Sequence, residues 1–486
     1  MTGTERAGGR AGQRSRLKAP PRLTPAERAT AGKAARAVAP RGRHAIFEPA
    51  PGRPDPVSLL EQQAATRIGE LVQIRYGRML ASPLAFFRGA ALPMAADLAG
   101  TPRTGLTVQL SGDAHLSNFG VFASPERRLV FDINDFDETL PGPWEWDIKR
   151  LAASLEVAAR GSGITGRLRR QIVVAAATRY RRAMRHFARR GNVAVWYAHA
   201  ELDELQAEYQ AILGPGQRKV VASGRARGRA ASRYNLQEFR KLTHEVAGRP
   251  RINADPPLLV PLAELEQDQR DGAGFDSQLG GFLARYRRSL EADRRFLLGQ
   301  FEVADMARRV SGVGSVGMRC WIVLLLGRDA GDPLFLQVKE AGPSALSAFD
   351  GASEYANEGQ RVVSGQRLMQ ASSDIFLGWQ RTGMGPAGRA RDFYVRQLRD
   401  WKLSIDVESM SPRSLRVYGE LCGWTLARAH ARSGDRIAIG AYLGSGEIFD
   451  RAVGEFAAAY ADQNERDYRA LRAAVAAGRL TAQTGI

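Results

Sequence analysis

Apolar and polar positions change rhythm several times along the chain. "SLLEQQAATRIGELVQIRYGRMLASPLAFFRGAA" (58–91) repeats its apolar positions at helical spacing and then turns near Ser82-Pro83. Over 105–138 the rhythm shortens. "GLTVQL" and "RLVFDIN" are runs of Val, Leu and Phe, which predicts two short strands joined by a loop. "PWEWDIKRLAASLEVAAR" (143–160) returns to helical spacing, with Ile148, Leu151 and Leu155 on one face. From 165 to about 300 the pattern is helical. Residues 308–342 switch again, to a glycine-rich turn, a long strand, a "DAGD" hairpin signal and a second strand ending at Lys339. Helix and strand alternate as far as "DFYVRQL" (392–398). The remainder is helical, with one helix opened by Ser411-Pro412 and another striped by Phe449, Val453, Phe456 and Tyr460.

This patterning predicts an α+β protein, mostly α, in five regions: 1–54, 55–160, 161–300, 301–405 and 406–486. At 486 residues the chain is long enough for two or three domains with proper cores. Hydrophobic residues make up 44%, and no stretch approaches the roughly 18–20 uninterrupted apolar residues of a membrane span. The first twenty residues are basic but lack the apolar run of a secretory signal. Two cysteines, Cys320 and Cys422, cannot make a disulfide framework or a four-ligand zinc site, so a reducing cytoplasm is the expected compartment. The net charge of +19 is unevenly spread. Residues 1–54 hold twelve Lys/Arg against three Glu in a Gly/Pro/Ala-rich background, which predicts a structureless basic tail able to contact polyanions weakly. A second basic run (216–241) reads as a loop between helices. Neither has the interleaved aromatics of a single-strand-binding platform.

The chemistry concentrates in "SGDAHLSNFG" (111–120) and "FDINDFDE" (131–138). A solvated acidic hairpin explains most aspartate pairs, but not Asp135 and Asp137 inside an apolar run. A metallophosphoesterase would use a Gly-Asp-x-His stretch, but it needs further histidine ligands, and the six His here are scattered. Phosphoryl transfer fits better. It asks for a carboxylate within reach of an incoming hydroxyl, and for an Asn and an Asp to hold divalent metal on the phosphates. Asp113, Asn118 and Asp135 could supply these groups from adjacent strand ends.

"GDAHLSNFG" resembles the catalytic loop of aminoglycoside and choline phosphotransferases, His-Gly-Asp-x-His-x-x-Asn, with Ser111 in place of the first His. "INDFDE" is similar to their metal-binding aspartate segment. "PGPWEWDIKRLAASL" is similar to the following Trp/Tyr-Asp-Leu-Ala helix, which implies that Asp147 braces the loop. A kinase-like enzyme also needs a glycine-rich turn over the phosphates and a strand lysine. Both lie downstream here: Gly312, Gly314 and Gly317 in "SGVGSVG", then Lys339 in "PLFLQVKEA", with Glu358 as its expected ion-pair partner and Glu354 as the alternative. "GWTLARAHA" resembles the helix that would normally enter the catalytic loop. The implied architecture is a two-lobed protein-kinase-like fold in circularly permuted order. Residues 55–160 carry the catalytic segment, 161–300 a helical insertion, 301–405 the small nucleotide-binding lobe and 406–486 further large-lobe helices. Over residues 55–475 the chain resembles a bacterial family catalogued as domain of unknown function 2252, which implies a kinase-like fold but names no acceptor.

The expected activity is ATP- and Mg²⁺-dependent phosphoryl transfer to a hydroxyl of a small molecule or protein. Asp113 would be the catalytic carboxylate, Asn118 and Asp135 the metal ligands, and Lys339 the group neutralising the nucleotide. A nucleotide-binding regulatory pseudoenzyme and an adenylyl-transferring enzyme are the alternatives. Three side chains keep two readings. Arg88 could contact phosphate or pack against its aromatic neighbours, and His430 and Asp435 could form a second polar site or belong to a helix end capped at Gly434.

Overall fold

The computed structural model describes residues 23–200, 239–265, 275–310, 312–382, 390–398 and 405–486, with nothing described of the side chains of 275–279. The fold is α+β and mostly α. Among the described residues no helix is long and apolar enough to cross a membrane.

The largest core belongs to helices. Trp144–Gly161 is buried on every side over residues 144–159, so it forms the centre of a helical layer rather than an amphipathic edge. Around it pack the helices Gly166–Phe187, Pro412–Ser433, Arg436–Leu443 and Ile448–Ala476. Ser411 caps Pro412–Ser433 by accepting from the Ser414 amide, with proline at the first helical position, where it lacks no needed N–H. Phe449, Val453, Phe456 and Tyr460 are all buried along one side of the last helix.

Four short strands emerge from this layer. β1 (Thr107–Leu110) pairs antiparallel with β4 (Leu140–Pro143), and between them β2 (Phe119–Ala123) and β3 (Leu129–Ile133) form a hairpin. The β1–β2 loop, residues 111–118, and the β3–β4 loop, residues 134–139, therefore emerge side by side. The Asn134 amide donates to the Asn118 carbonyl at 2.8 Å.

The second unit is a sheet in which, among the described residues, six strands pair antiparallel throughout. Their order is β11 (Gly378–Arg381), β12 (Asp392–Gln397), β10 (Pro333–Ala341), β9 (Cys320–Leu326), β8 (Glu302–Arg309) and β7 (Leu259–Pro261). Both faces are covered. Trp321, Val323 and Leu325 meet Phe282 and Tyr286 on one side, while Ile322 and Leu324 meet Ile252 and Phe335 on the other. That alternation is the two-residue period of a strand buried on both faces. The helix Glu358–Met369 lies against β11 and β12. At Gly359 a Cβ would collide with the Phe393 carbonyl, so this approach requires glycine.

Two expectations need correction. Residues 23–54 are not a structureless tail: Thr24 and Glu27 form a reciprocal capping box that starts the helix Pro25–Val38. That helix docks on Arg436–Leu443 through Arg28–Asp435 at 2.8 Å and Arg36 Nε to the Tyr442 carbonyl at 2.9 Å. Residues 1–22 lie outside the described residues. The span 161–300 is not wholly helical, because it contains the hairpin of β5 (Thr243–Val246) with β6 (Arg249–Ile252) and the sheet strand β7. The turn expected near Ser82-Pro83 is present, and Ser82 caps the helix Pro83–Gly89 that follows it by accepting from the Ala85 amide.

Candidate functional site

The 111–118 loop is held from below. Asp147, in the first turn of Trp144–Gly161, accepts from the Ser111 amide at 2.7 Å and the Gly112 amide at 3.0 Å. His430 Nε2 lies 3.2 Å from the same carboxylate, and its Nδ1 is 2.9 Å from the Tyr180 hydroxyl. The brace implied by the phosphotransferase resemblance is thus present, and His430 belongs to it rather than to a second site. Asp435 caps Arg436–Leu443, accepting from the Ile437 and Ala438 amides. Gly112 has φ of +82°, and a Cβ there would strike the Glu138 carbonyl, so glycine is needed where the two loops touch. Arg428 forms a fully buried pair with Asp132 of β3, and the Ala371 amide donates to the same carboxylate at 3.0 Å.

The two acidic loops face the sheet. Lys339, in β10, is buried between them and the sheet face. Its Nζ pairs with Asp137 and lies 3.9 Å from Asp135 Oδ2. The Tyr394 hydroxyl, opposite Lys339 in β12, donates to the other oxygen of Asp137 at 2.7 Å. Burial opposes the Lys339 charge, but the carboxylates of Asp135 and Asp137 outweigh it and hold its pKa well above the ordinary lysine value. The expected partner is therefore not the one used. Glu358 pairs with Arg361, three residues on in its own helix, and its amide donates to Asp392. The pairing differs because Glu358 starts its helix beside β12, whereas the acidic loop sits directly under β10.

A cleft of about 350 Å³ opens between loops and sheet. Asn118, Asp135, Lys339 and Gly312 all line it, together with Ser315 of the glycine turn. Gly314 and Gly317 are not in its lining. They set the backbone instead: Gly312 and Gly317 have φ of +71° and +85°, and the Gly317 carbonyl accepts from the Ile68 amide at 2.8 Å. Asp113 is also absent from the lining. Its side chain is 18% exposed, pairs with buried Arg150, and lies 3.6 Å from His115 Nε2. Its carbonyl accepts from Asn118 Nδ2 at 2.8 Å, which leaves the Asn118 carboxamide oxygen as the atom able to meet a cation. His115 Nδ1 accepts from the Ser117 amide, and burial lowers its pKa to about 4, so it is neutral near pH 7.

Arg88, Arg127, Arg309, Lys339 and Arg396 line the cleft against two acids, Asp135 and Asp374. That excess suits an anionic ligand. Among the described residues there is no group of three or more His, Cys, Asp or Glu placed to hold a metal ion. A hard cation shared between Asn118, Asp135 and the phosphates of a ligand still fits, because Mg²⁺ commonly takes only one or two protein carboxylates. Arg150 is the site residue the local motifs did not single out, and the motifs show Asp137 beside Asp135 but give it no role. Arg150 could have been found, since it follows Asp147 by three residues and so shares its helix face.

A family profile described as an uncharacterized protein conserved in bacteria, DUF2252, matches residues 67–474. The chain belongs to this family. The DUF2252 span takes in the acidic loops, the glycine turn, the sheet strands β8–β12 and the bracing helix Pro412–Ser433, and so contains every residue of the cleft described above. No curated protein and no solved structure is detectably similar to the chain.

Proposed function

We propose that this DUF2252 protein is an ATP- and Mg²⁺-dependent phosphotransferase of kinase-like, permuted order, acting on a hydroxyl of a small molecule or a protein. The supporting observation is convergence: Asn118, Asp135, Gly312 and Lys339, distant in sequence, line one basic cleft. Lys339, kept charged by its carboxylate neighbours, would bind phosphate oxygens, and the amides of the glycine turn would approach them closely. Asn118 Oδ1 and Asp135 would hold Mg²⁺, which supplies charge neutralisation on the phosphates when bound. Asp113, oriented by Arg150, would accept a hydrogen bond from the incoming hydroxyl. Two buried, unpaired cysteines suit a reducing cytoplasm.

A second reading, a nucleotide-binding regulator, draws on the position of Asp113: its carboxylate already has Arg150 as partner and stands outside the cleft lining. One experiment addresses both. In thermal unfolding, ATP with Mg²⁺ should stabilise the wild type more than either alone, and Asp135→Ala should remove that synergy while the protein still unfolds cooperatively. Mass analysis of candidate acceptors and of the protein itself then follows. Added phosphate supports transfer, added AMP redirects the assignment to adenylyl transfer, and binding without modification favours the regulator. Equal nucleotide stabilisation of wild type and Asp135→Ala would remove Asp135 from the site.

A further inference from the structure

Arg88, in the last turn of the helix Pro83–Gly89, is one of the cationic residues of the cleft. It lines the cleft together with Ser117, Asn118 and Gly312. The backbone that presents it is clamped on both sides. Arg150 Nη2 donates to the Phe87 carbonyl at 3.1 Å, and Arg75 Nη2 donates to the Gly89 carbonyl at 2.9 Å. A Cβ on Gly314 would sit 3.4 Å from the Arg88 carbonyl, so the glycine turn packs directly on this residue. The side chain thus projects from a fixed point rather than from a loose helix end.

Its neighbours in the cleft have partners. Lys339 has Asp137, and Arg396 donates to Gln337 Oε1 at 2.9 Å and to the Asn134 carbonyl at 3.0 Å. Arg88 differs. Its Nε is buried with no hydrogen-bond partner, and among the described residues no carboxylate pairs with its guanidinium. Burial lowers its pKa, with the more distant charges of Asp113 and Glu408 opposing. Arg88 as a whole is half-buried, so the burial falls on Nε, and a guanidinium with no carboxylate partner is completed by an anion; its planar fork suits two oxygens of one phosphoryl or carboxylate group.

We propose that Arg88 binds an anionic oxygen group, phosphoryl or carboxylate, in the cleft. The phosphotransferase reading determines only where that anion comes from: the terminal phosphoryl of the donor, or an acidic group carried by the acceptor. In the first case Arg88 holds the group being transferred; in the second it selects anionic acceptors.

The test uses inorganic phosphate as the probe, titrated calorimetrically into the full chain as wild type, Arg88→Gln and Arg88→Lys. Phosphate should bind the wild type, bind Arg88→Gln about tenfold or more weakly, and bind Arg88→Lys at an intermediate level. Both variants should melt within a few degrees of wild type. No binding to the wild type, or equal binding to wild type and Arg88→Gln, overturns the proposal. A parallel arm compares stabilisation by Mg·ATP and Mg·ADP. If Arg88→Gln erases the ATP-over-ADP difference, the anion is the donor's terminal phosphoryl. If the difference survives while phosphate binding is lost, the anion belongs to the acceptor. Should no nucleotide shift the wild type while phosphate still binds through Arg88, the phosphotransferase reading fails and the anion site stands.

Discussion

Asp135 and Asp137 stand two positions apart and do different work. Asp137 takes the Lys339 ammonium on one oxygen and the Tyr394 hydroxyl on the other, and its side chain is 18% exposed. Asp135 is 34% exposed and opens to the cleft, with Lys339 at the edge of ion-pair range. Lys339 itself is 4% exposed, and removing its close partner leaves it only the longer Asp135 contact. Asp137→Asn is therefore expected to lower unfolding stability by about 1.5–3 kcal/mol, and Asp135→Asn by less. Urea unfolding of the two variants measures this directly. Equal losses would mean that the two carboxylates share the lysine and that Asp135 is not reserved for a ligand. The spacing of "INDFDE" exposed both aspartates but could not rank them. Their difference arises from where β10 crosses above the loop, which no local pattern encodes.

Whole elements were legible to the degree that their own residues determined them. Ser411-Pro412 marked a helix start, the "DAGD" turn marked the β9–β10 hairpin, and the buried stripe of the last helix followed its spacing. "TPAE" at 24–27 carried a capping box as clear as any in the chain, but the surrounding Gly, Pro and Arg masked it. The strands at 243–261 were missed because they are three or four residues long, too short for a two-residue alternation to register, and two of the three hold a proline. The pairing of Glu358 was misassigned because Lys339 was expected to reach a helix, while a nearer acidic loop meets it first. At this scale a buried tie between the last third and the β2–β3 hairpin is Arg428–Asp132, with both side chains essentially inaccessible. Arg428→Met should destabilise by about 3–5 kcal/mol, since Asp132 would remain buried with only amide donors. The double variant with Asp132→Asn should recover a measurable part of that loss, which chemical denaturation can read.

At the scale of the molecule, the N-terminal segment acts as a strap on the helical layer. Arg28, Arg36 and Arg41 bond Asp435 and the carbonyls of residues 441–443, and buried His44 meets the Tyr442 hydroxyl at 2.7 Å. Deleting residues 1–45 should therefore lower the melting temperature by several degrees, because it uncovers the Arg436–Leu443 helix and leaves the last carbonyls there without donors. If the proposed nucleotide site is correct, its binding should persist at low temperature, since none of these residues lines the cleft. An unchanged melting temperature in a thermal scan would show that the strap contributes nothing.

The brace beneath the 111–118 loop also has a consequence in time. Asp147 and Asp132 are made early in synthesis, but His430 and Arg428 emerge some 280–300 residues later. Lys339 arrives more than 200 residues after Asp113. A ribosome therefore releases the acidic hairpin long before its supports exist, and for that interval the chain carries the 111–118 loop without a platform. Contacts this far apart in sequence favour slow folding and exposed intermediates. On this arrangement the cleft is completed late: a polypeptide stalled before residue 428 would hold every residue that lines the cleft yet lack the brace beneath it.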